Sequence, residues 1–137
     1  LLRIFIVLIL ATSISCSNTW DEKEVTCMSK ALYFEARGEE QLGKIAVGHV
    51  IMNRIRRGYG SSPCDVVAKP RQFSWYRKNY RITEGDRWQE CKILSRRILS
   101  EKYKDPTRGS LFFHERRINP HWRYKKTCKI GRHIFYK

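Results

Sequence analysis

Apolar side chains recur at three- and four-residue intervals along the first half of the chain, beginning with Val25, Met28, Ala31 and Leu32, the period of an amphipathic helix. Thr19-Trp20-Asp21-Glu22 has the spacing of a capping box and Gly38 supplies a stop, so a helix is predicted from about Trp20 to Arg37. Leu42, Ile45, Ala46, Val50, Ile51 and Ile55 continue the pattern, with Arg54, Arg56 and Arg57 near the end and Gly58 just past it; this predicts a second helix. Gly43 and Gly48 weaken it locally and permit close packing. Cys64 to Ala68 reads as one short helix ended by Lys69-Pro70, and Trp88, Cys91, Leu94, Ile98 and Leu99 form the stripe of a third long helix between about Asp86 and Tyr103. Beyond Asp105-Pro106 the period changes. Ser110 to His114 and His133 to Tyr136 are strand candidates, separated by a turn at Pro120 to Trp122. The predicted class is α+β, mainly helical, in a single domain with a small β-hairpin.

Before the first helix lies a different pattern: Arg3, an apolar run from Ile4, then the small residues Thr12, Ser13 and Ser15 before Cys16. This is the layout of a signal peptide or lipoprotein leader over residues 1–16, with the mature domain at 17–137. The apolar run is too short for a membrane-spanning helix, which needs roughly 20 residues, so membrane attachment is expected only if Cys16 is lipidated. The expected location is outside the cytoplasm, in the periplasm or cell envelope.

Export gives the cysteines a meaning. Setting Cys16 aside, Cys27, Cys64, Cys91 and Cys128 remain, an even set that an oxidising compartment would pair. Of the three possible pairings the favoured one is Cys27–Cys64 with Cys91–Cys128. A zinc site is not expected, since no cysteines lie two to four residues apart and His49, His114, His121 and His133 complete no ligand spacing. Lys and Arg number 28 against 13 Asp and Glu, a formal net charge of +15, which draws the chain toward polyanions. Aromatics interleave with cations at Trp75, Tyr76 and Tyr80 among Arg71, Arg77, Lys78 and Arg81. That is the pattern of a nucleic-acid surface or an exported nuclease, but export argues against an intracellular nucleic-acid partner.

The densest polar segment is Tyr33-Phe34-Glu35-Ala36-Arg37-Gly38-Glu39. Glu35 falls in the last turn of the first helix, where the negative end of the dipole disfavours a carboxylate and aromatic neighbours exclude water. Both effects raise its pKa, as general-acid cleavage of a glycosidic bond requires. Glu39, four residues on, projects to the same side if the helix persists.

With these segments in view the sequence resembles the cell wall hydrolases typified by bacterial spore cortex-lytic enzymes. The resemblance rests on the run Ala31 to Glu39, Ala46-Val47 through Val50 to Asn53-Arg54, Gln72-Phe73-Ser74-Trp75, Asp105-Pro106-Thr107, Phe112-Phe113-His114, Pro120 with Trp122, and Ile130 to Tyr136. It implies a lysozyme-like or lytic-transglycosylase-like fold that cleaves peptidoglycan glycan strands between N-acetylmuramic acid and N-acetylglucosamine, with Glu35 as the acid and no cofactor. The substrate-contact candidates are Tyr33, Gln72, Phe73, Ser74, Trp75 and His114. A hydrolytic muramidase would need a second carboxylate, for which Glu39, Asp105 and Glu115 are the candidates; a lytic transglycosylase needs only Glu35, and is favoured. The spore enzymes carry a separate wall-binding repeat domain; here the excess Lys and Arg are the expected attraction to anionic envelope polymers, and the chain is expected to act as a monomer.

Overall fold

The structure is a computed structural model that describes residues 20–137; the leader and Cys16 lie outside the described residues. Four helices are followed by a three-stranded sheet: α1 (Glu22–Ala36), α2 (Gln41–Arg56), α3 (Pro63–Ala68), α4 (Gly85–Leu99), β1 (Phe112–Glu115), β2 (Lys126–Ile130) and β3 (His133–Tyr136). The mainly helical α+β class expected from the pattern is the one observed. The cap of α1 is Asp21, whose carboxylate accepts the Glu24 N–H at 2.9 Å, two residues later than the Thr19 box would place it. The third long helix stops at Leu99, four residues before Tyr103, because Ser100 leaves the helix and Glu101 turns into the left-handed region at φ 56°.

The centre of the fold is α2, in which every residue from Gly43 to Arg54 is buried. A helix buried on all faces needs a neighbour on each side. Its Ile45, Val47, Ile51 and Met52 join Met28 and Leu32 of α1 and Leu94 and Ile98 of α4 in one apolar cluster; Ala46 and Val50, one turn apart, pack instead on Phe135 of the sheet. Gly48 permits the closest of these approaches, since a Cβ there would lie 2.6 Å from Ile98 Cδ1 and 3.4 Å from Leu32 Cδ2.

The sheet has the order β1-β3-β2, all antiparallel, with Phe112 opposite Tyr136 and Glu115 opposite His133. The expected two strands therefore became three. The added strand, Lys126–Ile130, alternates cations with Thr127, Cys128 and Ile130 and holds an irregular register between Lys126 and Cys128. Its identity comes from pairing with β3 rather than from an apolar run of its own.

Cys27 and Cys64 are joined, binding α1 to the start of α3. The other expected disulfide does not exist: Cys91 and Cys128 are both free. Cys91 is fully buried between helices, where loss of water pushes its thiol up to about 11. Cys128 packs in the separate cluster of Ala46, Val50 and Phe135. An even count does not require that every pair meet, and here the two thiols serve different cores.

The Cys27–Cys64 bridge closes a loop with a sequence separation of 37. Replacing both residues by serine is expected to lower unfolding stability by about 3–4 kcal/mol from loop entropy, read from denaturant midpoints. The mass of the non-reduced 20–137 domain should fall short of the fully reduced form by two hydrogens, not four.

Candidate active site

A cleft of about 680 Å³ runs between the end of α1, the loop after α3 and the outer face of the sheet. Glu35 enters it from the last turn of α1, as the sequence predicts. Burial raises the pKa of its carboxyl, an effect that a hydrogen bond from Trp75 and the charge of Arg54 only partly oppose. The indole Nε1–H of Trp75 donates to Glu35 Oε1 at 2.9 Å, and the same indole stacks on Phe34 with ring centroids 5.3 Å apart.

Glu39 also borders the cleft but is a different kind of carboxylate. The helix ends at Ala36, so the four-residue spacing from Glu35 no longer means a shared helical face. Burial alone would raise its pKa, yet Arg132 holds it below the usual range: Arg132 Nε lies 2.7 Å from Oε1, and the Arg132 N–H donates to Oε2 at 3.2 Å. Gly131 completes this contact. Its φ is +55°, and a Cβ there would overlap the Glu39 carboxylate. Asp105 is likewise committed. Burial pushes its carboxyl up, and hydrogen bonds from Thr107, Asn53 and Gly109 more than reverse the effect. Glu115 lines the cleft half-exposed, with Arg117 at 3.7 Å.

The six sequence-derived contact candidates divide. Gln72, Ser74 and His114 line the cleft. Tyr33 does not: it is 1% exposed, and its hydroxyl accepts the N–H groups of Thr83 and Glu84, pinning the segment before α4. Phe73 and Trp75 are core residues, each 5% exposed. An aromatic ring fits a sugar and a core equally well, and these two went to the core. Trp75 meets the cleft through its hydrogen bond to Glu35.

His114 Nδ1 lies 2.7 Å from the Glu115 carbonyl, which can only accept, so Nδ1 carries the proton and Nε2 accepts the Tyr136 hydroxyl at 2.9 Å. The ring belongs to an aromatic wall opposite Glu35. Phe112 stacks on Tyr124 at 4.4 Å, and Trp122 meets Phe112, His114, Tyr124 and Tyr136 edge-on. Phe112, Trp122 and Tyr124 were not among the contact candidates read from the sequence. The signal was the two-residue spacing of Phe112 with His114, which puts both on one face of a strand. Two non-glycine residues in the left-handed region, Arg71 at φ 62° and His121 at φ 52°, immediately precede the cleft residues Gln72 and Trp122; such strain persists where surrounding structure over-determines it.

Residues 38–136 match the family model described as Cell Wall Hydrolase. The chain belongs to the cell wall hydrolase family. Over 135 residues it is 27% identical to the spore cortex-lytic enzyme of Oceanobacillus iheyensis, a match that covers 91% of this chain and 45% of that protein. To the spore cortex-lytic enzyme of Bacillus subtilis it is 23% identical, covering 91% and 41%. The chain thus spans less than half the length of these curated relatives. The solved catalytic domain of the Bacillus cereus SleB protein superposes with a TM-score of 0.71 at 27% identity, covering 88% of this chain and 94% of that one. The SleB catalytic domain of Bacillus anthracis, described as a germination-specific lytic transglycosylase, gives 0.69 at 26% identity, covering 88% and 98%.

Within this cell wall hydrolase domain the family-model match begins at Gly38, just past Glu35, so the standing of Glu35 rests on its geometry in the cleft. That geometry is open to direct measurement. Trp75→Phe removes the N–H that stabilises the Glu35 carboxylate, so the Glu35 carboxyl should titrate at higher pH than in the unaltered protein, seen by carbon NMR of labelled glutamate. An unmoved titration would show that the indole hydrogen bond does not act on Glu35.

Proposed function

We propose that this chain cleaves peptidoglycan glycan strands at the β-1,4 bond between N-acetylmuramic acid and N-acetylglucosamine, as a lytic transglycosylase with Glu35 as acid and then base. The observation that carries the reading is the contrast among carboxyls: Glu35 is pushed toward its protonated form, while Glu39 and Asp105 are held ionised by partners of their own. A protonated Glu35 gives its proton to the oxygen leaving the muramic C1, and positive charge builds on that ring. The resulting carboxylate is stabilised by the charge of Arg54 and by the Trp75 N–H. It then takes the proton of the same sugar's 6-hydroxyl as that oxygen closes on C1, which returns Glu35 to its starting state. An internal hydroxyl has the advantage of proximity and needs no separate base.

A hydrolytic route would need a second carboxylate about 5–9.5 Å from the acid. Glu39 and Asp105 are tied up in hydrogen bonds, which leaves Glu115 as the remaining carboxylate on the cleft. The aromatic wall of Phe112, Trp122 and Tyr124 offers ring faces and edges to the apolar C–H face of a sugar. The net charge of +15 favours binding to anionic wall polymers.

Glu35→Gln keeps the shape of the side chain but has no proton to give, and should lower the rate of peptidoglycan solubilisation by ~10²–10⁴ with an unchanged melting curve. A folded variant with near-normal turnover would remove Glu35 from the mechanism. Digests by the unaltered enzyme should contain muropeptides one water lighter than hydrolytic products, with 1,6-anhydro ends, by mass spectrometry. Reducing ends in most of the product would instead favour the hydrolytic route and turn attention to Glu115.

A further inference from the structure

Beside the cleft a second cavity of about 340 Å³ opens between α3 and the start of β1, a volume within the range of ligand sites. Arg54, Gln72 and Phe112 line both spaces, so the smaller one adjoins the larger as a side branch set off by these three side chains. Its remaining walls are largely apolar, from Val66, Leu111 and the face of Tyr59, and its two charged lining residues, Arg54 and Lys69, are both cationic.

Arg54 is the unusual member. It is 7% exposed, and no carboxylate lies within ion-pair distance of it among the described residues. Its Nε donates to the Leu111 carbonyl at 2.7 Å, and its guanidinium carbon lies 5.5 Å from the Phe73 ring centroid and 5.6 Å from that of Phe112. Nη1 is buried with no hydrogen-bond partner. Aromatic faces are a weak substitute for an anion, and an unmatched buried cation is costly. Lys69 is half-exposed at the rim; its acidic neighbour, Asp65, is 4.0 Å away and already accepts the Ser61 N–H.

We infer that the side branch receives the carboxylate-bearing peptide attached to the muramic acid of a strand lying in the cleft. The inference rests on the glycan-cleavage reading and adds a determinant to it. In peptidoglycan the peptide leaves the sugar sideways through the lactyl ether, as the side branch leaves the cleft. Its carboxylates would match Arg54 and Lys69, and its short aliphatic side chains would meet Val66, Leu111 and Phe112. A strand stripped by an amidase keeps only the lactyl carboxylate next to the sugar; it lacks the aliphatic side chains and the carboxylates further along the peptide that would reach into the branch.

The test compares glycan strands carrying their peptides with strands of equal length stripped by an amidase, for the unaltered chain and for Lys69→Glu. This exposed substitution reverses the rim charge, and thermal melts check that it leaves the fold intact. For the unaltered chain kcat/KM should be about tenfold or more higher on peptide-bearing strands, the effect of one hydrogen bond to a charged group. In Lys69→Glu that ratio should fall toward one. Equal rates on the two strands, or a ratio that Lys69→Glu does not change, would overturn the inference while leaving glycan cleavage in place. Cleavage of neither strand would overturn the glycan-cleavage reading, and the side branch with it.

Discussion

Burial of α2 on every side is the constraint from which the other positions follow. A surface helix needs one apolar stripe, but a helix enclosed from Gly43 to Arg54 must find a neighbour for each face, and of the four polar side chains it carries inward three, all but His49, are hydrogen-bonded. Lys44 answers with the Glu39 carbonyl at 2.6 Å and Glu90 at 3.2 Å. Asn53 answers with Asp105 and the Ser110 carbonyl, which fixes the chain just before β1. Arg54 holds the Leu111 carbonyl. The polar positions of one helix thereby set where the end of α1, the loop after α4 and the first strand can lie, and the first and last of these border the cleft.

Glu35 and Glu39 show how local position decides chemistry. Both are glutamates of one short segment at the edge of one cleft. The first is inside the helix, its carboxyl met by an indole N–H and a distant cation; the second is past the helix end and is gripped by an arginine side chain and its backbone. Desolvation acts on both, but only at Glu39 do the hydrogen bonds outweigh it. The residue types are identical, so the separation comes entirely from where the helix stops and from what the β2–β3 turn brings to it.

The parts of the fold legible in the sequence are those whose signal is local. The period of Val25, Met28 and Leu32 and that of Trp88, Cys91 and Leu94 mark α1 and α4 without knowledge of their neighbours, and Glu35 is legible because helix-end position and nearby aromatics are both local facts. Lys126–Ile130 was illegible because its strand character is supplied by β3. Tyr33, Phe73 and Trp75, all buried in the fold, show a related limit: an aromatic ring states that it will be covered, but not whether by protein or by substrate. Arg54 was visible only as a cation near a helix end, since its enclosure by Phe73 and Phe112 depends on chain segments distant in sequence.

The burial of Cys91 bears on the persistence of the Cys27–Cys64 cross-link. Exchange proceeds through thiolate, and a thiol raised to about 11 inside the helical core supplies almost none at neutral pH and offers little access to an attacking sulfur. Once α4 has docked, Cys91 is withdrawn from the reshuffling of the Cys27–Cys64 bond. Cys128, partly exposed on the sheet, is the other free thiol among the described residues and packs in a cluster apart from the bridge. Packing of α4 against α1 thus keeps one potential nucleophile out of exchange with the bridge that ties α1 to α3.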